Sequence, residues 1–492
     1  MLFPLCVDLD GTLIQTDSLY EMALLYLKKY PWGFFSLLVW LVKGRSYLKE
    51  RLAFKAPLCV DVLPYNRKIL DWLRAEYAKG RQIYLVTAAH QQVAEAIAKH
   101  LNIFSGVFGS RAGVNLKASK KRAFLEKQFG FRKFDYAGNS AADLNVWPAA
   151  RKAILVNCSQ AVSRQCKTPV DRVFGGPKNA LKTFLKAIRV HQYSKNFLIF
   201  LPALLGHKFL DFSLIPSLLW AFLAFCFLAS SVYLWNDLLD LDADRRHAKK
   251  SKRPLAAGML SIPFAVILAA GFFLVAVIIS TKLPWSFRMI MGFYYGMTVL
   301  YSFWLKRLSL VDIFVLSCLY SLRVFAGMAL IPGPYSPWLL LFAFFFFTSL
   351  AFVKRYAELH TQAGQEGQKI PGRSYKAEQR PMMAIFGVSS GYLSVFILAL
   401  YLNSPQALSL YQTPDLLYLI CVFLLYWISR VWLKAALGEM DEDPVLFALK
   451  DKSSYFLGCV IFCVVFFASV YSVDRGISWP VVQAHISRTQ TT

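Results

Sequence analysis

The sequence predicts two parts of different fold class: an α/β domain with a parallel sheet, followed by an all-α bundle of membrane-spanning helices. Of the 492 residues, 57% are hydrophobic and 41 are Phe, which is more than an ordinary soluble protein carries. The long apolar runs follow residue 197, whereas short apolar runs ending in polar turns occupy the first 175 residues. We expect a first domain over residues 1–178 and a second over residues 179–492, separated by the turn Gly175-Gly-Pro-Lys178.

Charge and cysteine usage exclude several classes of protein. The formal net charge is +26, but the basic residues lie in short loops between apolar runs, where they set membrane orientation. We therefore expect no nucleic-acid partner. The nine cysteines show no CxxC pair and no Cys/His spacing, so neither a disulfide framework nor a zinc site is predicted. The N-terminus lacks the pattern of a signal peptide, so nothing there predicts export.

The first domain begins with a short apolar run, Leu2 to Val7, that leads into Asp8-Leu-Asp10-Gly-Thr12. This is the pattern of a buried parallel strand that ends in a tight turn. Two acids separated by one residue at the carboxyl end of such a strand can divide the roles of nucleophile and acid/base. The motif indicates a catalytic site at this edge of the sheet.

Three later segments strengthen this interpretation. Arg81 to Thr87 is typical of a second strand that ends in a hydroxyl, Asn115 to Lys121 is rich in lysine, and Phe134 to Asp143 adds a glycine turn with another carboxylate. The order of these segments resembles the haloacid dehalogenase-type phosphatase superfamily over roughly residues 1–175. The resemblance implies a Rossmann-like α/β fold with a helical cap, phosphatase activity and bound Mg²⁺.

The same resemblance implies roles for single residues. Asp8 would be the phosphoryl-accepting nucleophile, Asp10 the general acid/base and Thr87 a phosphate ligand. We choose Lys121 as the lysine that neutralises the phosphate, because it begins a predicted helix, and Lys117 is the competing choice.

The implied Mg²⁺ ligands of the first domain are Asp8, Asp10, Asn139 and Asp143. Asn139 departs from the family pattern, which usually has Asp after the glycine. It still offers an oxygen to the metal but one negative charge fewer. A phosphatase-like fold without activity is the alternative.

The segment from Gln15 to about Asp71 is expected to form the helical cap. It contains an apolar stretch, Trp32 to Val42, that is too short to span a hydrocarbon core of about 30 Å at about 1.5 Å per residue. We expect this stretch to lie in the core of the cap, with contact to the membrane surface or to the second domain as the alternative.

Apolar runs in the second domain predict nine spanning helices, the first of them short and interrupted by Pro202. They lie near residues 197–206, 213–235, 262–281, 285–304, 309–331, 337–353, 382–402, 415–433 and 454–473. The loops after the second, fourth, sixth and eighth runs carry the basic residues, so these loops and the first domain are expected to be cytoplasmic. We expect an integral protein of a bacterial-type inner membrane, with its C-terminal tail outside.

The second apolar run leads into an acid-rich segment, Trp235 to Gly258. On a continuous helix Asn236, Asp240 and Asp244 share one face, with Asp237 beside Asp240. These acids would repel one another unless a cation lay among them. Mg²⁺ prefers such oxygen ligands and keeps positions for substrate phosphates, so we predict a diphosphate-metal site, with a solvated mixed-charge loop as the alternative.

The basic residues that follow are expected to contact phosphate oxygens. They are Arg245, Arg246, Lys249, Lys250, Lys252 and Arg253. The acids, together with Arg253-Pro254 and Gly258, resemble the first aspartate-rich motif of UbiA-type intramembrane prenyltransferases, whose fold is a nine-helix bundle.

One region departs from the aromatic prenyltransferases of that family, in which a second aspartate pair follows the fourth helix. Here the region offers only Asp312 and continues into an apolar helix that contains Arg323. A buried guanidinium needs a partner, and either a phosphate or Asp312 could serve. Pairing of Arg323 with a helix neighbour alone is the alternative.

Further segments are similar to the decaprenyl-phosphate phosphoribosyltransferase subgroup: Tyr193 to Asn196, Lys354 to Glu358 and Arg373 to Tyr375. The resemblance implies transfer of 5-phosphoribose from phosphoribosyl diphosphate to a polyprenyl phosphate. The implied Mg²⁺ ligands are Asp237, Asp240 and Asp244. The implied substrate-binding residues are Lys195, Asn236, Arg253, Lys306, Asp312, Arg323, Lys354, Tyr356 and Arg373.

Together the two resemblances predict sequential chemistry, in which the transferase product carries a 5′-phosphate that the first domain removes. An aromatic prenyltransferase with a polyprenyl diphosphate donor, as in quinone biosynthesis, is the alternative within the same family. A transporter or lipid flippase with a regulatory soluble domain is the alternative from another class, and no convincing inverted repeat supports it.

Overall fold

The computed structural model describes residues 2–111, 116–175, 180–208, 211–247, 249–333, 335–361, 375–440, 444–448 and 450–470. The chain divides into two units. The first unit comprises Met1–His191 and Phe227–Val275, and the second comprises Gln192–Cys226 and Ala276–Thr492. The first unit therefore contains the acid-rich segment as well as the α/β domain. The predicted boundary between residues 178 and 179 lies outside the described residues.

The first unit contains a parallel sheet, as the short apolar runs predict, and this sheet has six strands. The strands are β1 Leu5–Val7, β2 Ile83–His90, β3 Gly106–Ser110, β4 Asp135–Gly138, β5 Ala153–Val156 and β6 Val170–Phe174. Their order in the sheet is β3-β2-β1-β4-β5-β6. The order reverses between β1 and β4, so the carboxyl ends of these two strands form the crevice where open α/β sheets bind ligands.

Both faces of the sheet are covered. On one face Leu5 and Val7 of β1 pack in a core that includes Leu52 of the cap. On the other face Cys6 packs with Tyr136 of β4 in a second core. Burial on both faces explains why these strands read as continuous apolar runs rather than as alternating ones.

The helices of the α/β part are α1 Ser18–Lys29, α2 Phe34–Val42, α3 Arg45–Lys55, α4 Arg67–Ala78, α5 Gln91–Leu101, α6 Ser119–Phe129, α7 Gln160–Gln165 and α8 Ala180–Ala187. The first four lie between β1 and β2 and form the helical cap that the sequence predicts. Asp17 caps α1, because its carboxylate accepts a hydrogen bond from the Leu19 backbone N–H at 2.9 Å.

The apolar stretch of the cap is more exposed than predicted. In α2, Leu37 and Trp40 pack partly against the core, whereas Phe35, Leu38 and Val42 are 65%, 45% and 88% exposed. The prediction that this stretch lies in the core of the cap is therefore wrong for most of its side chains. A helix of nine residues with apolar side chains on all sides can bury only one face against a single neighbour.

The remaining helices are α9 Leu201–Leu205, α10 Ile215–Leu239, α11 Leu241–Arg246, α12 Ile262–Ser280, α13 Trp285–Phe303, α14 Val311–Met328, α15 Pro337–Thr361, α16 Arg380–Leu402, α17 Pro405–Leu410, α18 Tyr418–Ala436, α19 Pro444–Ala448 and α20 Lys452–Val470. Within the described parts of the chain, seven helices are long and apolar enough to cross a membrane. They are α10, α12, α14, α15, α16, α18 and α20. This property indicates an integral membrane protein.

The predicted count of nine spans is not confirmed. At the first predicted span the chain forms a 3₁₀ helix, Val190–Ile199, and then the five-residue helix α9. α9 is short because Pro202 can stand only in its first turn and Gly206 ends it. The fourth predicted span is α13, which has 19 residues but is not among the seven.

A buried ion-pair network connects the start of β2 with β4. The Arg81 side chain donates to Glu76 Oε2 at 3.0 Å, to the Phe3 carbonyl oxygen at 2.8 Å and to the Asp135 carboxylate. Arg151 also donates to Asp135, at 2.7 and 3.0 Å. The network satisfies charges that the fold holds away from water.

Replacing Arg81 by Met is expected to lower the free energy of unfolding by roughly 3–5 kcal/mol, because Glu76 and Asp135 would each lose a buried partner. Denaturant unfolding of the purified chain in detergent measures this loss. Arg74→Met is the matched control, since the Arg74 side chain is 57% exposed and its Nη1 lies 4.0 Å from Oδ1 of the exposed Asp71. A loss no larger than that of the control would contradict the prediction.

Candidate functional site

Asp8 and Asp10 lie at the carboxyl end of β1, where the sheet order reverses. The Asp8 backbone N–H donates to the Ala137 carbonyl oxygen at 3.0 Å, which fixes the first acid beside β4. Asp10 Oδ1 accepts from the Ser18 backbone N–H at 2.8 Å, at the start of α1. Both acids line a cavity of about 890 Å³ in the first unit. The structure therefore brings the two predicted acids to one cavity.

Lys121, at the start of α6, lies directly against the first acid. Its Nζ donates to Asp8 Oδ1 and to the Tyr136 hydroxyl, both at 2.9 Å. Tyr136 donates in turn to Asp143 Oδ1 at 2.8 Å. Lys117, the competing choice, lines the cavity as well. The contact with Asp8 favours Lys121 as the lysine that neutralises a phosphate there.

Asn139 and Asp143 complete the polar floor of the cavity. Asp143 Oδ2 accepts from the backbone N–H of Asn139 at 3.0 Å, from that of Ser140 at 2.9 Å and from the Ser140 hydroxyl at 3.0 Å. Gly11 has a φ of +75°, and a Cβ on it would lie 1.9 Å from Asn139 Nδ2. Only glycine leaves room for the Asn139 side chain at this place.

The predicted magnesium ligands of the first domain therefore line one cavity. They are Asp8, Asp10, Asn139 and Asp143. Carboxylate and amide oxygens suit Mg²⁺, so these side chains fit the ion. Within the described residues no group of three or more His, Cys, Asp or Glu side chains is arranged to hold a metal ion. Asn139 is not one of these four residue types, so it would add an amide oxygen to the carboxylates.

Burial changes the proton affinity of both acids. It raises the pKa of Asp8, an effect that Lys121 opposes and Asp143 reinforces. Burial also raises the pKa of Asp10 to about 7, with Asp17 as the next cause. An acid with a pKa near neutrality can both donate and accept a proton, as a general acid/base must.

The predicted phosphate ligand Thr87 does not line the cavity. Its side chain is fully buried in β2, and its Oγ1 accepts from the Ala89 backbone N–H at 3.0 Å. The neighbouring Ala88 forms the cavity wall instead. Sequence reasoning missed Arg45 and Lys49 of α3, which line the same cavity. Nothing apart from their charge marked these two residues in the sequence.

The acid-rich segment is not one continuous helix. α10 ends at Leu239, and Asp240 stands at the start of the short helix α11. The prediction of one helix face shared by Asn236, Asp240 and Asp244 assumed an uninterrupted helix, and the break at Asp240 corrects it. Asn236 and Asp240 are partly buried, whereas Asp237 and Asp244 are buried.

Arg253 joins the two buried acids. Its Nη1 donates to Asp237 Oδ1 at 3.1 Å and also to Asp244 Oδ2. Arg189, which sequence reasoning missed, donates to Asp237 as well. The cation that lies between these carboxylates in the structure is therefore the guanidinium of Arg253. Two carboxylates that converge on one cationic nitrogen offer the hard oxygens that Mg²⁺ prefers, so these residues fit the ion.

Two residues of the basic tail have other partners than the predicted phosphate. The Arg245 guanidinium donates to Glu21 Oε1 at 2.6 Å, to Glu21 Oε2 at 3.1 Å and to the Ala256 carbonyl oxygen at 3.2 Å. Arg246 donates to Asp61 Oδ2 at 3.2 Å. Both side chains are thus engaged by acids of the cap, and their contacts with phosphate stay predictions.

In the second unit, the buried Arg323 is held by uncharged acceptors. It donates to Asn196 Oδ1 at 3.0 Å, to the Tyr294 hydroxyl at 2.8 Å and to the Leu319 carbonyl oxygen at 2.6 Å. The Lys195 Nζ and the Arg323 guanidinium each lie 5.5 Å from the ring centroid of Tyr320. Within the described residues no carboxylate pairs with Arg323. A buried guanidinium whose described acceptors are uncharged favours an anion as ligand.

Asp312 pairs with Arg355 and not with Arg323, which corrects one of the two predicted partners. Asp312 is fully buried, and its Oδ2 accepts from Arg355 Nε at 2.7 Å. Its Oδ1 accepts from the Tyr375 hydroxyl. Arg355 also donates to Glu358 Oε2 at 2.6 Å. Sequence reasoning passed over Arg355, although it stands between two residues chosen as substrate contacts.

The remaining predicted substrate contacts are spread over the second unit. Lys306 lies in the 3₁₀ helix Leu305–Arg307 and Lys354 lies on α15, and both are partly buried. Tyr356 is buried, and its ring centroid lies 5.8 Å from that of Trp432. Arg373 lies outside the described residues. Their contacts with substrate stay predictions.

Comparison with known proteins adds to this geometry. Residues 197–460 match the UbiA prenyltransferase family. The uncharacterized protein y4nM of Sinorhizobium fredii is 37% identical over 93% of this chain and 89% of its own length. The decaprenyl-phosphate phosphoribosyltransferase of Mycolicibacterium smegmatis is 35% identical over 40% of this chain and 63% of its own length. The matched region thus spans less than two thirds of that enzyme.

Among solved structures, a substrate-bound phosphoserine phosphatase complex covers 38% of this chain and 98% of its own chain, with 15% identity and a TM-score of 0.27.

Replacing Glu21 by Ala is expected to lower the free energy of unfolding by roughly 3–5 kcal/mol, because the buried Arg245 would lose its carboxylate. The double variant Glu21→Ala with Arg245→Met removes the charge as well, so it should recover part of this loss. Denaturant unfolding of the purified chain in detergent compares the two. A double variant as unstable as the single one would contradict the expected coupling.

Proposed function

Because the chain belongs to the UbiA prenyltransferase family, we propose that it is a Mg²⁺-dependent membrane transferase that moves 5-phosphoribose from phosphoribosyl diphosphate to a polyprenyl phosphate. The observation that carries the proposal is the convergence of the buried Asp237 and Asp244 on Arg253. A diphosphate donor requires such a place, where carboxylates can hold a divalent ion beside the leaving group. The similarity to a decaprenyl-phosphate phosphoribosyltransferase supports this choice of substrates.

Asp237, Asp240 and Asp244 are the proposed ligands of Mg²⁺, which when bound supplies positive charge to the departing pyrophosphate. Arg253 already contacts two of these acids and would turn to the phosphate oxygens. An oxygen of the lipid phosphate attacks the anomeric carbon of the ribose, and the bond from that carbon to pyrophosphate breaks. The residues of the chain position the reactants and stabilise charge, and none of them acts as a nucleophile.

The second unit contributes a separate anion site. Arg323 and Lys195 would bind a phosphate group of a substrate, since the buried Arg323 guanidinium donates only to uncharged acceptors within the described part of the chain. Asn196 and Tyr294 position the guanidinium through their hydrogen bonds. The further proposed contacts are Asn236, Lys306, Asp312, Lys354, Tyr356 and Arg373.

For the first unit we propose a phosphatase that acts on the product of the transfer. The Asp8 carboxylate attacks the phosphorus, the bond to the 5′-oxygen of the ribose breaks, and Asp10 gives its proton to that oxygen. Water then attacks the phosphoaspartate, Asp10 takes a proton from it, and inorganic phosphate leaves. Lys121, 2.9 Å from Asp8, neutralises the phosphate charge. The final product is a polyprenyl-phosphoryl ribose.

We place both activities on the cytoplasmic side of a bacterial-type inner membrane, since the basic loops and the first domain share that side under the positive-inside tendency. In this proposal the phosphatase domain comprises residues 1–178 and the transferase domain comprises residues 179–492. The product of the transferase would then form on the side where the phosphatase lies.

Membranes that contain the chain are expected to form a lipid-linked phosphopentose from labelled phosphoribosyl diphosphate and polyprenyl phosphate, and chelation of Mg²⁺ should stop the reaction. Asp240→Ala should lower the rate at least about 100-fold, because a preorganised electrostatic group is lost. Asp242→Asn, a neighbouring acid outside the proposed ligands, is the matched control and should leave the rate unchanged.

Retained turnover in Asp240→Ala would remove this residue from the metal site. Absence of any lipid-linked phosphopentose would refute the transferase proposal. Prenylation of an aromatic acceptor from a polyprenyl diphosphate in the same membranes would favour an aromatic prenyltransferase instead.

Replacing Asp8 by Asn should make the phosphorylated lipid accumulate without change in its rate of formation, because the variant lacks the phosphatase nucleophile but keeps the acid-rich segment. Thin-layer separation of labelled lipids measures both quantities in one sample. Dephosphorylation at the wild-type rate would remove Asp8 from its proposed role.

A further inference from the structure

The cavity that holds Asp8 and Asp10 is larger and chemically more varied than a single phosphate requires. Its volume of about 890 Å³ lies in the range of sites for whole small molecules, about 300–1,000 Å³. Besides the acids and Lys121, it is lined by three further cations and by apolar side chains from α2 and from the start of α12. All of these elements belong to the first unit.

The three further cations are Arg45, Lys49 and Lys117. Lys49 Nζ donates to the Ala88 carbonyl oxygen at 2.6 Å, which holds it at the cavity wall. Burial lowers the pKa of Lys49, the charges of Asp10 and Asp17 oppose this shift, and those of Lys117 and Arg45 add to it. Because all three cations line the same cavity, an anion bound beside Lys49 would be attracted by each of them. Lys121 is already engaged by Asp8, so this anion is a second one.

The apolar part of the wall comes from two helices. Leu38 and Leu41 of α2 line the cavity and are about half exposed. Ile262 and Pro263, the first two residues of α12, line it as well. α12 is long and apolar enough to cross a membrane. The cavity thus has phosphatase acids at one part of its wall and the beginning of a membrane helix at another, which suits an amphiphilic ligand.

We infer that this cavity binds a lipid-linked phosphomonoester through three of its groups: the terminal phosphate at Asp8 and Lys121, an internal phosphodiester at Lys49 with its neighbouring cations, and the first part of an apolar chain at Leu38 and Leu41. The inference rests on the phosphatase activity proposed for the first unit. It adds the parts of the cavity that recognise this substrate and select it over a free sugar phosphate. The proposed transferase product has these three groups in this order.

The subsite at Lys49 and the subsite at Leu38 and Leu41 would make the cavity select a lipid-linked substrate over a free sugar phosphate. A free sugar phosphate would reach only the acids and Lys121, so it would make no contact with Lys49 and would leave the leucines in contact with water. A lipid-linked substrate satisfies both, and the resulting difference in binding gives specificity without any change in the reacting atoms.

Three substrates separate the subsites in phosphate-release assays with the full chain in detergent. Ribose 5-phosphate has only the terminal phosphate, a methyl-phosphoryl 5-phosphoribose adds the diester, and a prenyl-phosphoryl 5-phosphoribose adds the apolar chain. For the wild-type chain kcat/KM should rise in this order. Ribose 5-phosphate hydrolysis also reports in each variant whether the catalytic site is folded.

Lys49→Gln is expected to lower kcat/KM at least about tenfold for both diester substrates, because the loss of one hydrogen bond to a charged group has about this effect. The kcat/KM for ribose 5-phosphate, which lacks the diester, should stay within about twofold of the wild-type value. Lys55→Gln is the matched control, since Lys55 lies exposed on the same helix and does not line the cavity. Leu38→Asn with Leu41→Asn should affect only the prenyl substrate, whereas Val42→Asn, exposed on α2 and away from the cavity, should affect none.

Each outcome decides a separate point. Equal kcat/KM for the three substrates in the wild-type chain would overturn the inference and leave the phosphatase proposal standing. A loss in Lys49→Gln that is the same for ribose 5-phosphate, or no loss at all, would overturn the diester subsite. Release of phosphate from none of the three substrates would refute the phosphatase proposal itself.

Discussion

Neutralisation of buried carboxylates is the constraint on which the rest of the structure depends. Asp8 contacts Lys121, Asp135 contacts two arginines, and Asp312 contacts Arg355. The same rule applies to the acid-rich segment, where arginines occupy the space between the acids. An ionised carboxylate without a partner is too costly to retain away from water.

Two charged residues without an ion-pair partner among the described hydrogen bonds, Arg323 and Asp10, lie at the candidate sites. Arg323 is a buried cation with neutral acceptors, and its charge is best matched by an anionic substrate. Asp10 is a partly buried acid whose carboxylate accepts from a backbone N–H, and desolvation raises its pKa to about 7. Each departure has a cost in stability, and each supplies a property that transfer or hydrolysis of a phosphate group needs.

The first unit holds the phosphatase-like site and the acid-rich segment in one folded body. A buried ion pair between Glu21 and Arg245 connects the cap to α11, directly beside Asp244. Gly258, with a φ of +66°, lets the Gln15 carbonyl oxygen approach to 2.6 Å from the place of a Cβ. These contacts hold the cavity of Asp8 and the acid-rich segment in fixed positions within the first unit.

Local patterns in the sequence determined the α/β sheet with its cap, the acids after β1, seven apolar helices and the acid-rich segment. All of these depend on apolar runs and short motifs within single segments. Only the tertiary structure decided which charges meet. Glu21 and Arg245 are 224 residues apart, and Arg323 and Asn196 are 127 apart. The exposure of α2 and the pairing of Asp312 with Arg355 were likewise decided by packing between distant segments, because apolar periodicity shows that a side chain is buried but not what it is buried against.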